Sequence, residues 1–217
     1  MSDLDQPVPV TEVEYERRPG DALAAALGLA VLLAGMAVVR DGHVPDWERS
    51  VFETINGLPE ALYPLLWPFQ QLGAILIGPI LAIVAALLRR YRLALALVLA
   101  TVLKLLLERA VKAAVTRERP GTSIGGDVEL RGDVHAVGES FVSGHAVMVA
   151  ALACLIVPYL PRPWRFVPWL LLGLVMVGRV YVGAHNPLDV ICGAALGVAI
   201  GSGLNLVVGV PVDQYGT

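Results

Sequence analysis

Polar and apolar residues do not alternate along this chain; the apolar ones run in six long blocks divided by short polar links. The blocks are about Ala22–Val39, Tyr63–Leu88, Leu93–Val115, His145–Leu160, Val167–Ala184 and Leu188–Val210. Blocks this long with so few polar breaks predict helices with lipid around them, not strands of a soluble core. Pro64, Pro68 and Pro79 fall in the second block, which predicts a kinked or interrupted helix there. The last block holds Gly193, Ala194, Ala195, Gly197, Gly201 and Gly203. Small residues let helix backbones approach closely in lipid, so this helix is expected to pack centrally.

Composition agrees. Hydrophobic residues make up 56% of the 217 and charged residues 16%, against about 25% charged in an average globular domain; mean hydropathy is +0.68. So little charge cannot clothe a soluble core of this size. Disorder, collagen and a disulfide scaffold are excluded by the apolar content, the aperiodic glycines and the count of 2 cysteines. At about 20 residues per span, about six spans fit. The expected fold is all-α, a polytopic membrane helix bundle of about six transmembrane helices spanning residues 22–210. A mobile N-terminal tail (1–21) and a short C-terminal tail (211–217) flank it. Cys154 and Cys192 lie inside apolar blocks and read as small core residues. No Lys/Arg-rich tract points to nucleic acid. The first apolar block is long and ends in Arg40-Asp41, so it reads as a retained span and not a cleaved signal.

Cations set the orientation. Arg17-Arg18, Arg89-Arg90 with Arg92, and Arg162 with Arg165 fall on one side of a six-span chain, and cytoplasmic segments favour Lys and Arg. The expectation is a multi-pass protein of the cell membrane with both termini cytoplasmic. Links 40–62, 116–144 and 185–187 then face outward. Within the first of these, Pro45 to Gly57 reads as a short helix. Val51 and Ile55 form a stripe beside Phe52, expected to lie flat in the membrane interface.

Ionisable groups at membrane depth cost a few kcal/mol each unless they serve a site, and the outward helix ends collect several. Lys112, Arg117 and Arg119 close the third block, Ser143-Gly144-His145 open the fourth, Arg179 ends the fifth, and His185 and Asp189 flank the entry to the sixth. Lys112 and Arg119, seven apart, would share a helix face. With Arg179 they form a cationic trio suited to a multiply charged anion, Arg through its planar fork and Lys as a point charge. Ser143 and Gly144 at a helix start would add a hydroxyl and free backbone N–H groups. Asp189, four residues beyond His185, would accept from one ring nitrogen and leave the other free as a nucleophile. His145 is placed to protonate a leaving oxygen and then activate water. No acidic cluster points to a divalent metal, and no cofactor is expected. Arg117, Glu118, Glu139, His43 and His135 read as solvated loop charges.

These residues fall into three motifs: K-x6-R-P over Lys112–Pro120, S-G-H at Ser143-Gly144-His145, and R-x5-H-x3-D over Arg179–Asp189. In this order they resemble the signature of the type 2 phosphatidic acid phosphatase superfamily, which includes glucose-6-phosphatase and the vanadium haloperoxidases. The likeness covers about residues 60–210. It implies a phosphohistidine formed on His185 and supported by Asp189, with His145 as general acid. Phosphate would be held by Lys112, Arg119, Ser143, Gly144 and Arg179, without metal. Two positions depart from the family pattern: Val142 stands where Pro is usual before S-G-H, and Gly178 where Ser is usual before the arginine.

A site at the outer helix ends suits an amphiphile with its phosphate at headgroup level, such as a polyprenyl phosphate or diphosphate, phosphatidylglycerol phosphate or phosphatidic acid. The Gly-rich loop Arg117–Glu139 is expected to shape headgroup choice. Two other readings share these residues: a lipid-linked phosphotransferase, and a non-catalytic lipid-binding or transport protein. A transporter would place its ionisable groups near mid-membrane, whereas these gather at one end.

Overall fold

A computed structural model describes residues 13–212. All six apolar blocks are helical. They form α1 (Pro19–Val39), α3 (Tyr63–Gln70) with α4 (Ile77–Leu87), α5 (Tyr91–Ala114), α7 (Gly144–Ile156), α8 (Val167–Tyr181) and α9 (Pro187–Val208). Two shorter helices lie in the links, α2 (Asp46–Asn56) and α6 (Pro120–Ser123). Among the described residues, three helical segments are long and apolar enough to cross a membrane: Pro19–Val39, Arg162–Tyr181 and Pro187–Val208. The second block is broken as its prolines predicted; Glu60–Gly73 and Ile77–Leu87 meet at 66° and together could make a fourth crossing. The break itself falls after Gly73, while Pro68 stays inside α3 and Pro79 sits in the first turn of α4. Lys104, Glu108, Arg109 and Lys112 make α5 too polar for the same description, and α7 is too short.

Helix α9 is central. Gly193, Gly197 and Gly201 form a row four residues apart, where an added Cβ would run into Ser143, Val147 and Ala151 of the facing segment. That row lets α7 lie against α9 at backbone distance, close enough for dispersion contacts along its length. Gly28 of α1 meets the opposite side of α9 at Ala195 and Ala199. Cys154 and Cys192 are both free and buried, as core residues should be. Outward-facing leucines, among them Leu23, Leu27, Leu87 and Leu95, stay exposed. Lipid is the solvent for such a surface.

Both ends of the described chain meet at one end of the bundle. Of the expected N-terminal tail, residues 1–12 lie outside the described part, as do 213–217 of the C-terminal one. The remainder is tied down: β1 (Tyr15–Glu16) pairs antiparallel with β2 (Val210–Pro211), and α1 begins at Pro19. Arg92 donates to the Val208 carbonyl at 2.9 Å and lies 4.2 Å over the Tyr15 ring. Asp21, buried, pairs with Arg18 and accepts from Asn205 at 3.1 Å. The motif residues lie at the other end of the bundle, about 33 Å away along the 22 residues of α9.

Helix α2 corrects an expectation. It covers the predicted residues, but it does not rest on a Val51–Ile55 stripe. Its inward face is Glu48, Phe52 and Asn56, all buried, while Trp47 and Val51 remain exposed. Asn56 explains the docking: its side-chain amide donates to the carbonyls of Glu129 and Tyr181 and accepts from the Glu129 N–H. The apolar pattern is split, Phe52 and Ile55 packing inward and Val51 facing out, and Glu48, Phe52 and Asn56 at i, i+4 and i+8 form the buried face.

Candidate active site

The starts of α7 and α9 are fastened together by the Ser143 N–H, which donates to the Asp189 carbonyl at 3.0 Å. Helix α9 is begun by Asn186 and Pro187; the Asp189 carboxylate turns back to accept the Asn186 N–H at 2.8 Å. His185 occupies the turn just before it and is 4% exposed. Its Nδ1 lies 2.9 Å from the Ser140 carbonyl and 3.7 Å from Asp189 Oδ2. The partner expected from the four-residue spacing is therefore the more distant one: Asp189 is occupied in capping its own helix and a backbone carbonyl accepts the ring N–H. The outcome for the ring is the same, since Nδ1 carries the hydrogen and Nε2 is left free. Burial pushes the pKa of His185 below its ordinary 6.5, Asp189 opposing and the Arg179 and Arg119 cations reinforcing the shift.

A cavity of about 310 Å³ opens beside these helix ends. Arg119, Arg179 and His145 reach its wall from three different segments, joined by Gln70 of α3 and by Asp133 and His135 of the long loop. Gly73, at the break between α3 and α4, gives the His145 ring its place, because a Cβ there would collide with it. Three buried polar atoms here have no hydrogen-bond partner: Arg119 Nε, Arg179 Nε and Ser143 Oγ. Native interiors leave few such atoms unpaired; the two guanidinium donors line the cavity and fit an anion, while Ser143 and His185 are not among its lining residues.

Arg119 reaches the cavity by a different route from the one expected. Helix α5 ends at Ala114, Val115 turns extended, and Pro120 holds Arg119 at φ −66, ψ 157. It shares no helix face with Lys112. Lys112 is not among the residues lining the cavity; its Nζ lies 2.9 Å from Glu108, which also takes Lys104 at 2.7 Å. Glu108 in turn abuts Gly144, leaving no room for a Cβ. A carboxylate held between two lysines was legible in principle, since Lys104, Glu108 and Lys112 stand four residues apart along α5.

Arg117 is the larger correction. Read as a solvated charge, it is fully buried. Nη1 donates to Asp189 Oδ1 at 2.8 Å, and Nη2 pairs with Glu48 of α2. Burial opposes its charge, but Asp189 and Glu48 outweigh that and hold its pKa above the ordinary value. Glu118, Glu139, His43 and His135 are exposed, as expected. Among the described residues no group of three His, Cys, Asp or Glu is placed to hold a metal ion.

Sequence comparison settles the family. A model of the PAP2 superfamily matches residues 93–210, all three motifs included. The chain belongs to the PAP2 superfamily. No curated protein matches it. The crystal structure of Aquifex aeolicus LpxE is similar at 27% identity and a TM-score of 0.64, over 70% of this chain and 90% of that one. The first transmembrane PAP2-type phosphatidylglycerolphosphate phosphatase from Bacillus subtilis shares the fold at 19% identity and a TM-score of 0.59, over 84% and 94% of the two chains. With the family in place, Gln70 acquires meaning. A Cβ on Gly178 would lie 3.3 Å from Gln70 Cγ, and Gln70 Oε1 accepts from Arg179 Nη1 at 3.0 Å. The space of the usual PAP2 serine is thus filled by a carboxamide from the broken helix.

Proposed function

We propose that this PAP2 protein is a metal-independent lipid phosphate phosphatase working through a phosphohistidine. The observation that carries the reading is the pair of unpaired Nε donors of Arg119 and Arg179 on a cavity that also takes the His145 ring. Two guanidinium groups with unused N–H bonds match the equatorial oxygens of a transferring phosphoryl group. In the first step the Nε2 lone pair of His185 attacks phosphorus and the bond to the leaving oxygen breaks. His145 gives that oxygen a proton, while Nδ1 of His185 keeps its hydrogen and donates it to the Ser140 carbonyl. In the second step a water loses its proton to His145 and attacks phosphorus. The N–P bond breaks, its electron pair returns to Nε2, and phosphate leaves. Asp189 supports the positive ring during the first step, and Lys112 and the Gly144 N–H complete the phosphate cradle when the anion draws Lys112 from Glu108.

The substrate is a phosphomonoester or diphosphate carried on a lipid: a polyprenyl diphosphate, phosphatidylglycerol phosphate, as named for the similar Bacillus enzyme, or phosphatidic acid. The bundle crosses the cell membrane six times with α5 and α7 among the spans. The end bearing Arg17, Arg18, Arg89, Arg90 and Arg92 is cytoplasmic and the cavity faces outward. Release of inorganic phosphate from a panel of these lipids, in detergent with EDTA, tests the reading. Turnover without added metal, inhibition by vanadate and loss of activity in His185→Ala and His145→Ala are expected. Full activity in His185→Ala would remove the nucleophile and with it the proposal.

A further inference from the structure

Glu48 lies outside the region matched by the family and outside all three motifs, yet it is fully buried against them. Its Oε1 accepts the Leu188 N–H at 2.7 Å, in the first turn of α9, and Arg117 Nη1 at 3.2 Å; its Oε2 takes Arg117 Nη2. Arg117 then governs both acceptors around the His185 ring. Its side chain holds Asp189 Oδ1. Its carbonyl accepts the Ser140 N–H at 2.8 Å, and so fixes the Ser140 carbonyl that faces His185 Nδ1. We infer that Glu48 and Arg117 are positioning residues for the nucleophile, and that α2 is a built-in part of the catalytic apparatus. The inference rests on the phosphohistidine reading above.

Its physical content is a charge count. Two carboxylates and one guanidinium leave one net negative charge next to His185. This charge favours the imidazolium character that develops as Nε2 binds phosphorus, and it opposes the pull of Arg119 and Arg179. His185 is faced by Asp189 from α9, Arg179 and His145 from α8 and α7, Arg119 from the loop, and Arg117 with Glu48 behind Asp189. Removing the Glu48 charge brings the buried trio to neutrality. Protonation of His185 then becomes harder.

The test is the pH profile of purified, monodisperse full-length protein releasing phosphate from the best substrate of the panel. Glu48→Gln should lower kcat about tenfold to hundredfold, by analogy with the scale found for groups that orient a metal's ligands, and shift the acid limb of kcat/KM to lower pH. Glu48→Asp and Arg117→Lys keep the charges but lose the bidentate geometry, so kcat should fall with the acid limb unmoved. A residue that merely holds the fold would change the yield of folded protein and leave both quantities alone. If Glu48→Gln does not fold, Glu48→Asp decides, and wild-type kcat in that variant overturns the inference. Wild-type kcat and an unmoved limb in folded Glu48→Gln overturn it equally, while an active wild type leaves the phosphatase reading standing. A silent wild type, or an active His185→Ala, defeats the reading itself.

Discussion

Replacing Gln70 by Ala isolates one contact to Arg179 on the cavity wall. Gln70 is 5% exposed, and its carboxamide oxygen is 3.0 Å from Arg179 Nη1. A hydrogen bond to a charged group contributes about 1.5–3 kcal/mol, and every 1.4 kcal/mol or so is a factor of ten. Gln70→Ala should therefore cost roughly tenfold to a hundredfold in kcat/KM, because Arg179 keeps its charge but loses the partner that aims its fork. Gly178→Ser alone should change little, since the added Cβ would sit 3.3 Å from the flexible Gln70 side chain. With Gln70 truncated, the same serine has room to turn its hydroxyl toward Arg179, so Gln70→Ala with Gly178→Ser should recover part of the loss. Steady-state phosphate release and vanadate inhibition of the four proteins make a double-mutant cycle. A folded Gln70→Ala whose kcat/KM stays within about threefold of wild type would refute the reasoning, as would strictly additive effects.

Arg119→Lys should raise KM despite conserving charge, because Lys cannot present a planar fork; unchanged kinetics would make Arg119 structural. The acid limb of kcat/KM should lie below pH 6.5. The nucleophile must be neutral, and burial lowers the His185 pKa, so the active form persists to more acid conditions; a limb above 6.5 would contradict that assignment. Arg117→Ala leaves Glu48 and Asp189 buried without their cation and should cost about 3–5 kcal/mol of stability. Thermal unfolding in detergent reads this directly, and an unchanged Tm would show that the pair is not buried in solution.

Glu48 and Arg117 mark the boundary between pattern and packing. In one dimension Glu48 is an acid on a short helix with aromatic neighbours, and Arg117 is a cation in a loop among other charges. Arg117 had an ordinary solvated reading, Glu48 stood in no motif, and nothing in their spacing joined residues 69 positions apart. Gln70 was hidden in the same way, inside a proline-broken apolar block where its target, Arg179, is 109 residues away. Lys112 shows the converse. Its motif position named it for phosphate, but an acid one turn earlier holds it in the free protein.

What the chain alone determined are properties that depend on transfer between solvents and on local geometry: apolar runs long enough for lipid, a break where prolines gather, a glycine face for close packing, and helix ends carrying Ser143, His145, Arg179, His185 and Asp189. Each follows from a few neighbouring residues. Tertiary structure decided what depends on distance through space between segments far apart in sequence. It chose which acceptor took the His185 proton, which carboxylates balanced Arg117, and which face of α2 turned inward. Hydrogen bonds form only near contact distance and Coulomb energy depends on separation through space, so only the folded arrangement could select these partners.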